Sequence, residues 1–179
     1  MLTPPLTDID VRVLGALIEK EATTPDTYPL SISALLAACN QLSNRDPVMQ
    51  LDEATVMQAI VTLRRRSLLR AIQPAGARVT KYMHLLHEAL LLDRRELALL
   101  SVLMLRGEQT PGELHARTAR LADFADLAAI EAVLEGLMAR TPESLVTRLP
   151  RRAGQKEVRY AHLLAGDVSL AEPGDGASV

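Results

Sequence analysis

The chain has 179 residues, 48% of them hydrophobic, and a formal net charge of −2. That composition excludes a mostly disordered chain and a globally basic one. Aromatic content of 2%, with no Trp and Phe124 as the only Phe, leaves a core built from aliphatic side chains, a palette that favours helices.

Cys39 is the only cysteine, which removes a disulfide framework and a cysteine-based zinc site from consideration. The opening MLTPPLTDIDVRV has no basic segment followed by an apolar run. Apolar stretches elsewhere are broken by charge before the roughly 20 residues a membrane span requires. The expectation is a soluble, cytoplasmic protein without membrane contact.

In chain order, a first helix is expected from Thr7, where the Thr-x-x-Asp10 spacing is a capping-box variant, to about Glu21. After Pro29 a second starts at Ser31, with Ile32, Leu35, Leu36 and Cys39 on one face. The third is capped by Asp52 and presents Val56, Ile60 and Leu63 on one side. Two β-like runs follow, 68–72 and 79–83, around Pro74-Ala75-Gly76.

The same order then returns. Asp93 with Glu96 opens a helix that Gly107 stops, and Thr110-Pro111-Gly112-Glu113 combines an N-cap, a proline at the first helical position and the box glutamate. A helix from Asp126 presents Leu127, Ile130, Leu134 and Leu137, and β-like runs at 144–149 and 157–162 flank Pro150 and Gly154. Residues 7–25 and 93–111 align at an offset of 86, pairing Val11, Val13, Leu14, Leu17 and Ile18 with Leu97, Leu99, Leu100, Leu103 and Met104. Tyr82-Met83-His84-Leu85-Leu86 matches Tyr160-Ala161-His162-Leu163-Leu164 at an offset of 78.

Three helices closed by a hairpin is the winged-helix plan. The expected fold class is therefore mainly α with small β-hairpins (α+β), as two tandem winged-helix domains at 1–88 and 89–164. Each is expected to bury its own aliphatic core, with a disordered tail at 165–179.

The stretch at 22–51, with Thr23, Thr24, Pro25, Asp26, Tyr28, Pro29, Leu30 and Ser31 followed by Ala38, Cys39, Asn40, Gln41, Asn44, Arg45, Pro47 and Val48, resembles the signature of the YceH-like family of uncharacterised bacterial proteins. The runs at 103–114 and 159–164 are similar to that family too, and Ser33 stands where an Asn is usual. The resemblance implies tandem winged helices and no particular activity.

Winged helices often place the third helix in a major groove with the wing beside it, so DNA is the first partner to consider. Residues 1–88 hold 9 Lys/Arg against 9 Asp/Glu, and residues 89–164 hold 11 against 10, so neither copy is basic overall. The cations are nevertheless clustered. Arg64, Arg65 and Arg66 end the third helix, with Arg70, Arg78 and Lys81 on the first hairpin and Arg148, Arg151, Arg152, Lys156 and Arg159 in or beside the second. They are candidate phosphate contacts; charged hairpins also occur simply to keep surfaces soluble.

Asp52, Glu53, Asp126 and Glu131 near the starts of the third helices argue against base reading, and the largely apolar or acidic run at 127–139 suits a protein contact better. A protein-interaction scaffold is therefore the rival reading. The polar connection at 40–51 is long for a helix-turn-helix. With Thr24, Asp26 and Tyr28, its residues Asn40, Gln41, Asn44 and Arg45 form a candidate recognition loop.

Catalysis is not expected. Cys39 lies on an apolar helix face, His84 and His162 repeat at equivalent positions, His84 and His87 lack a third ligand, and no nucleotide- or hydrolase-type motif occurs. No metal or cofactor is expected. Leu86, Leu90, Leu91 and Leu92 exceed the apolar needs of a linker, which suggests a homodimer.

Overall fold

The computed structural model describes residues 3–151 and 153–168. Among them, seven helices and two antiparallel hairpins follow one another as α1 (Asp8–Thr23), α2 (Ile32–Cys39), α3 (Glu53–Arg65), β1 (Leu69–Ile72), β2 (Lys81–His84), α4 (Leu86–Leu90), α5 (Arg94–Arg106), α6 (Pro111–Thr118), α7 (Leu127–Ala139), β3 (Val146–Arg148) and β4 (Tyr160–His162). The chain is thus mainly helical with small β-hairpins. No helix among the described residues is long and apolar enough to cross a membrane.

Local chemistry sets the helix starts. Thr7, Asp93 and Thr110 each accept from the backbone N–H three residues on, and Asp10, Glu96 and Glu113 reach back to the cap in reciprocal boxes. Asp52 and Asp126 cap α3 and α7. Gly107 ends α5 at φ 72°, a conformation that side-chain-bearing residues avoid.

The hairpins are shorter than the sequence pattern suggests. Leu69–Ile72 pairs with Lys81–His84, leaving Val79 exposed outside the ladder. Val146–Arg148 pairs with Tyr160–His162, and Pro150, which has no N–H to donate, follows closely after β3. In each half one further residue bridges the second strand, Leu30 to Tyr82 and Gln109 to Tyr160. The two halves therefore share element order and strand pairing.

The expectation of two separate interiors is corrected. Buried residues from both halves form one continuous cluster, and α1 packs most extensively against α5. Every residue from Asp10 to Ile18 and from Ala98 to Leu105 is buried, so over these stretches both helices are enclosed on all sides. Gly15 permits the close approach: a Cβ there would meet Leu105 Cγ and Cδ2 at 3.0 Å. Ser101, at Gly15's repeat position, donates its hydroxyl to the Gly15 carbonyl at 3.2 Å. Equivalent positions thus touch where the halves cross.

The connection at 85–92 is also more than a linker. Leu86 and Leu92 are buried and Leu90 is half-buried against the core, leaving Leu91 as the exposed member. The apolar surplus read as a dimer contact is used inside the chain. The expected tail begins with a turn, Gly166 donating to the Leu163 carbonyl, and residues 169–179 lie outside the described residues.

Candidate functional site

The connection at 40–51 is held from beneath by two buried arginines. Arg12 of α1 donates to the Cys39 carbonyl at 3.0 Å and to the Pro47 carbonyl at 2.5 Å. Burial, and next the like charge of Arg45, lower its pKa. Arg45, with no exposed side-chain surface, donates to both Glu19 carboxylate oxygens at 2.8 and 3.0 Å and to the Ala38 and Asn44 carbonyls at 3.0 and 2.7 Å. Burial pushes the Glu19 carboxyl up, but the hydrogen bonds and charge of Arg45, with Lys20, outweigh it and hold the group below its ordinary range.

Asn40 closes the connection by exchanging two hydrogen bonds with the Leu51 backbone, at 2.8 and 2.7 Å. The Asp46 N–H donates to the Leu105 carbonyl at 2.9 Å, docking the connection on the end of α5. Asn44 takes φ 57°, which asparagine tolerates, and its side-chain oxygen accepts from Arg106 at 3.0 Å.

The segment at 24–28 divides in function. Thr24 caps α1 through the Lys20 carbonyl, and Asp26 is exposed on a 3₁₀ turn over Pro25–Thr27. The Tyr28 hydroxyl accepts from the His84 backbone N–H at 2.9 Å, and burial raises its pKa above the ordinary tyrosine range. His84 itself is fully buried: its Nδ1 accepts from the Leu86 N–H at 3.3 Å, so Nε2 carries the proton and donates to Glu21 at 2.7 Å. That hydrogen bond lowers the Glu21 pKa.

Thr24, Gln41 and Asn44 come together on one cleft of about 280 Å³ between the two halves. Lys20 of α1, Arg106 of α5, and Arg117 and Arg120 in and just beyond α6 line it as well, over an apolar floor that includes Val102, Leu105 and Leu121. Lys20 reaches Gln41 at 3.0 Å and Glu19 at 3.2 Å. Arg117 lies 3.9 Å from Glu113, and Arg120 is exposed with no ion-pair partner among the described residues. Burial, and next the like charge of Arg117, lower the Arg106 pKa.

The second charged surface is on the first hairpin. Arg64 and Arg65 at the end of α3 and Arg70 of β1 border one open groove. Arg70 pairs with Met83 and Lys81 with Ile72, which puts both cations on the face opposite the buried Tyr82 and His84. Arg64, Arg65, Arg78 and Lys81 have no carboxylate partner among the described residues, while Arg70 meets Glu88 at 3.8 Å. Arg66 is engaged differently, donating to the Pro4 carbonyl at 2.6 Å. On the second hairpin Arg151 and Lys156 are exposed, Arg159 is paired with Glu113 at 3.0 Å, and Arg152 lies outside the described residues.

Comparison with known proteins adds a family. The model for "Protein of unknown function, DUF480" matches residues 6–155. A UPF0502 protein of Geotalea daltonii is 56% identical over 166 residues, covering 93% of this chain and 75% of the relative. UPF0502 proteins of Opitutus terrae and Hahella chejuensis are 51% and 46% identical, covering 95% and 97% of this chain and 75% and 82% of those relatives. The chain belongs to the DUF480/UPF0502 family. The YceH-like resemblance read from residues 22–51 is the same assignment.

In this UPF0502 chain the recognition-loop candidates separate by role. Asn40, Arg45 and Tyr28 turn their polar groups inward to hold backbone, whereas Thr24, Gln41 and Asn44 face the cleft. Lys20, Arg106, Arg117 and Arg120 line the cleft without any cue in the sequence, because α1 meets α5 and α6 only through the shared core. Burial pushes the Cys39 thiol up to about 12, which keeps it protonated at neutral pH.

Proposed function

We propose that this protein is a non-catalytic, cytoplasmic, tandem winged-helix protein that associates with duplex DNA through the end of α3 and the outer face of the first hairpin. The winged-helix reading is supported by the repeated order of three helices and an antiparallel hairpin, with a third segment bridging each hairpin. One observation carries the DNA reading: Arg64 and Arg65, which border one open groove with Arg70, and Arg78 and Lys81 of the hairpin all stand without carboxylate partners among the described residues. Such side chains bind phosphate without first breaking an internal ion pair. The second half is less suited to the major groove, since α7 exposes Leu127, Ala128, Glu131, Ala132 and Glu135 and no cation.

The test is a salt titration of binding to random-sequence duplex. Affinity should fall steeply with salt, and R64A together with R65A should flatten the log–log slope by about 2. The R151A and K156A pair measures the second hairpin in the same way. No binding at low salt, or a slope that ignores Arg64 and Arg65, overturns the reading. The second reading is a protein-interaction scaffold. It rests on the exposed face of α7, where Leu127, Ala132 and Gly136 lie beside the carboxylates Asp126, Glu131 and Glu135.

A further inference from the structure

We infer that the cleft between the halves is a binding site for a small phosphate-bearing anion, held by Lys20, Arg106, Arg117 and Arg120. The chain as a whole carries a net charge of −2, yet these four cations line a single cleft of about 280 Å³ whose one lining carboxylate is Glu19. Glu19 is already engaged on both oxygens by Arg45, which has no exposed side-chain surface. Glu19 also meets Lys20 at 3.2 Å and Glu113 meets Arg117 at 3.9 Å, which leaves Arg106 and Arg120 as the lining cations without an ion-pair partner among the described residues.

Neutral polar side chains stand beside the cations, with the Thr23, Thr24 and Ser101 hydroxyls already donating to the Glu19, Lys20 and Gly15 carbonyls. Thr23, Thr24, Gln41, Asn44 and Ser101 share the lining, and Val102, Leu105 and Leu121 supply apolar wall. A few convergent polar groups over an apolar floor is the usual make-up of a small-molecule site, and the volume lies near the lower end of such sites, about 300 Å³. Arginine forks match phosphate oxygens geometrically, so phosphate is the anion class this set of donors suits best. A cation at the C-terminal end of α5 would by itself explain Arg106 through the helix dipole. The end of α6 accounts in the same way for Arg117 and Arg120, but neither dipole explains why cations from α1, α5 and α6 meet on one cleft.

The same geometry argues for a free anion over a nucleic-acid backbone. The cleft has walls from α1, the 40–51 connection, α5 and α6, and its volume suits a phosphate group with little attached. An occupant would touch both halves at once and so should stabilise the whole chain against unfolding.

The test uses the full chain with inorganic phosphate and pyrophosphate, followed by calorimetry and by thermal unfolding at matched ionic strength, with a short random duplex as a separate arm. Pyrophosphate should bind saturably and raise the unfolding midpoint. R106Q and R120Q should each weaken it at least about tenfold, whereas R64A with R65A should leave it unchanged. Arg120 has no described partner to lose, so R120Q tests the site even if R106Q disturbs the connection through Asn44. No saturable binding of either anion, binding unaltered in both glutamine variants, or duplex binding weakened by R120Q in place of pyrophosphate binding overturns the inference. Loss of duplex binding in R64A/R65A alone bears on the DNA reading and not on this site.

Discussion

Replacing Glu19 by Ala removes the carboxylate that both terminal nitrogens of Arg45 address, at 2.8 and 3.0 Å. Arg45 would keep its bonds to the Ala38 and Asn44 carbonyls but retain an uncompensated charge where it has no exposed surface. Breaking a buried pair from one side costs about 3–5 kcal/mol. Glu19 is 13% exposed, so water can reach the vacated space and the low end, about 3 kcal/mol, is the expected loss. For a chain of this size that corresponds to a midpoint lowered by roughly 6–12 °C. Urea unfolding of E19A, R45M and the double variant would measure it. The double should recover a good part of the loss, because the stranded charge is gone and Met refills much of the volume. A change in E19A below about 0.5 kcal/mol, or additive single effects, would refute the idea that this pair anchors the connection at 40–51.

Burial holds the His162 imidazole at about 4, below its ordinary 6.5, and Asp8 offsets this only in part. The sign follows from the unfolded chain taking up a proton below about 6.5 while the folded one does not. This histidine's penalty is absent at neutral pH, and stability falls between pH 6.5 and 4 by up to about 3 kcal/mol; H162Q should flatten that interval in pH-dependent unfolding, and parallel curves would count against it. Two glycines should respond in opposite directions. Gly15→Val drives a side chain into Leu105 and Met104 and should cost about 1–3 kcal/mol, whereas Gly136→Ala on exposed α7, with nothing within 4 Å, should gain up to about 1 kcal/mol. Denaturant midpoints check both, and a tolerated Gly15→Val would show that α1 and α5 are not closely packed.

How much was legible depended on distance along the chain. The caps at Thr7, Asp52, Asp93, Thr110 and Asp126 act within three residues, and each side chain makes the bond its spacing implies. The pairing of α1 with α5 spans 86 residues at Ser101 and Gly15, and no local pattern states it. A cue was nonetheless available, since Ala98–Leu105 is apolar at every position except Ser101, too wide a surface for a helix with one solvent face. Once these helices share an interior, Lys20 and Gln41 face Arg106, Arg117 and Arg120 across the cleft. Asn40, Arg45 and Tyr28 illustrate the opposite difficulty: polar residues in a loop suggest recognition, but theirs are the groups that fix the backbone.

The shared interior is best tested by native-state hydrogen exchange along α1 and α5 in increasing denaturant. If the two halves are one cooperative body, the slowest amides between Val11 and Ile18 and between Ala98 and Leu105 should open with the same free energy, equal to that of global unfolding. One of these helices exchanging at clearly lower free energy, while the other remains protected to the global limit, would contradict a common core and, with it, the cleft that the core assembles.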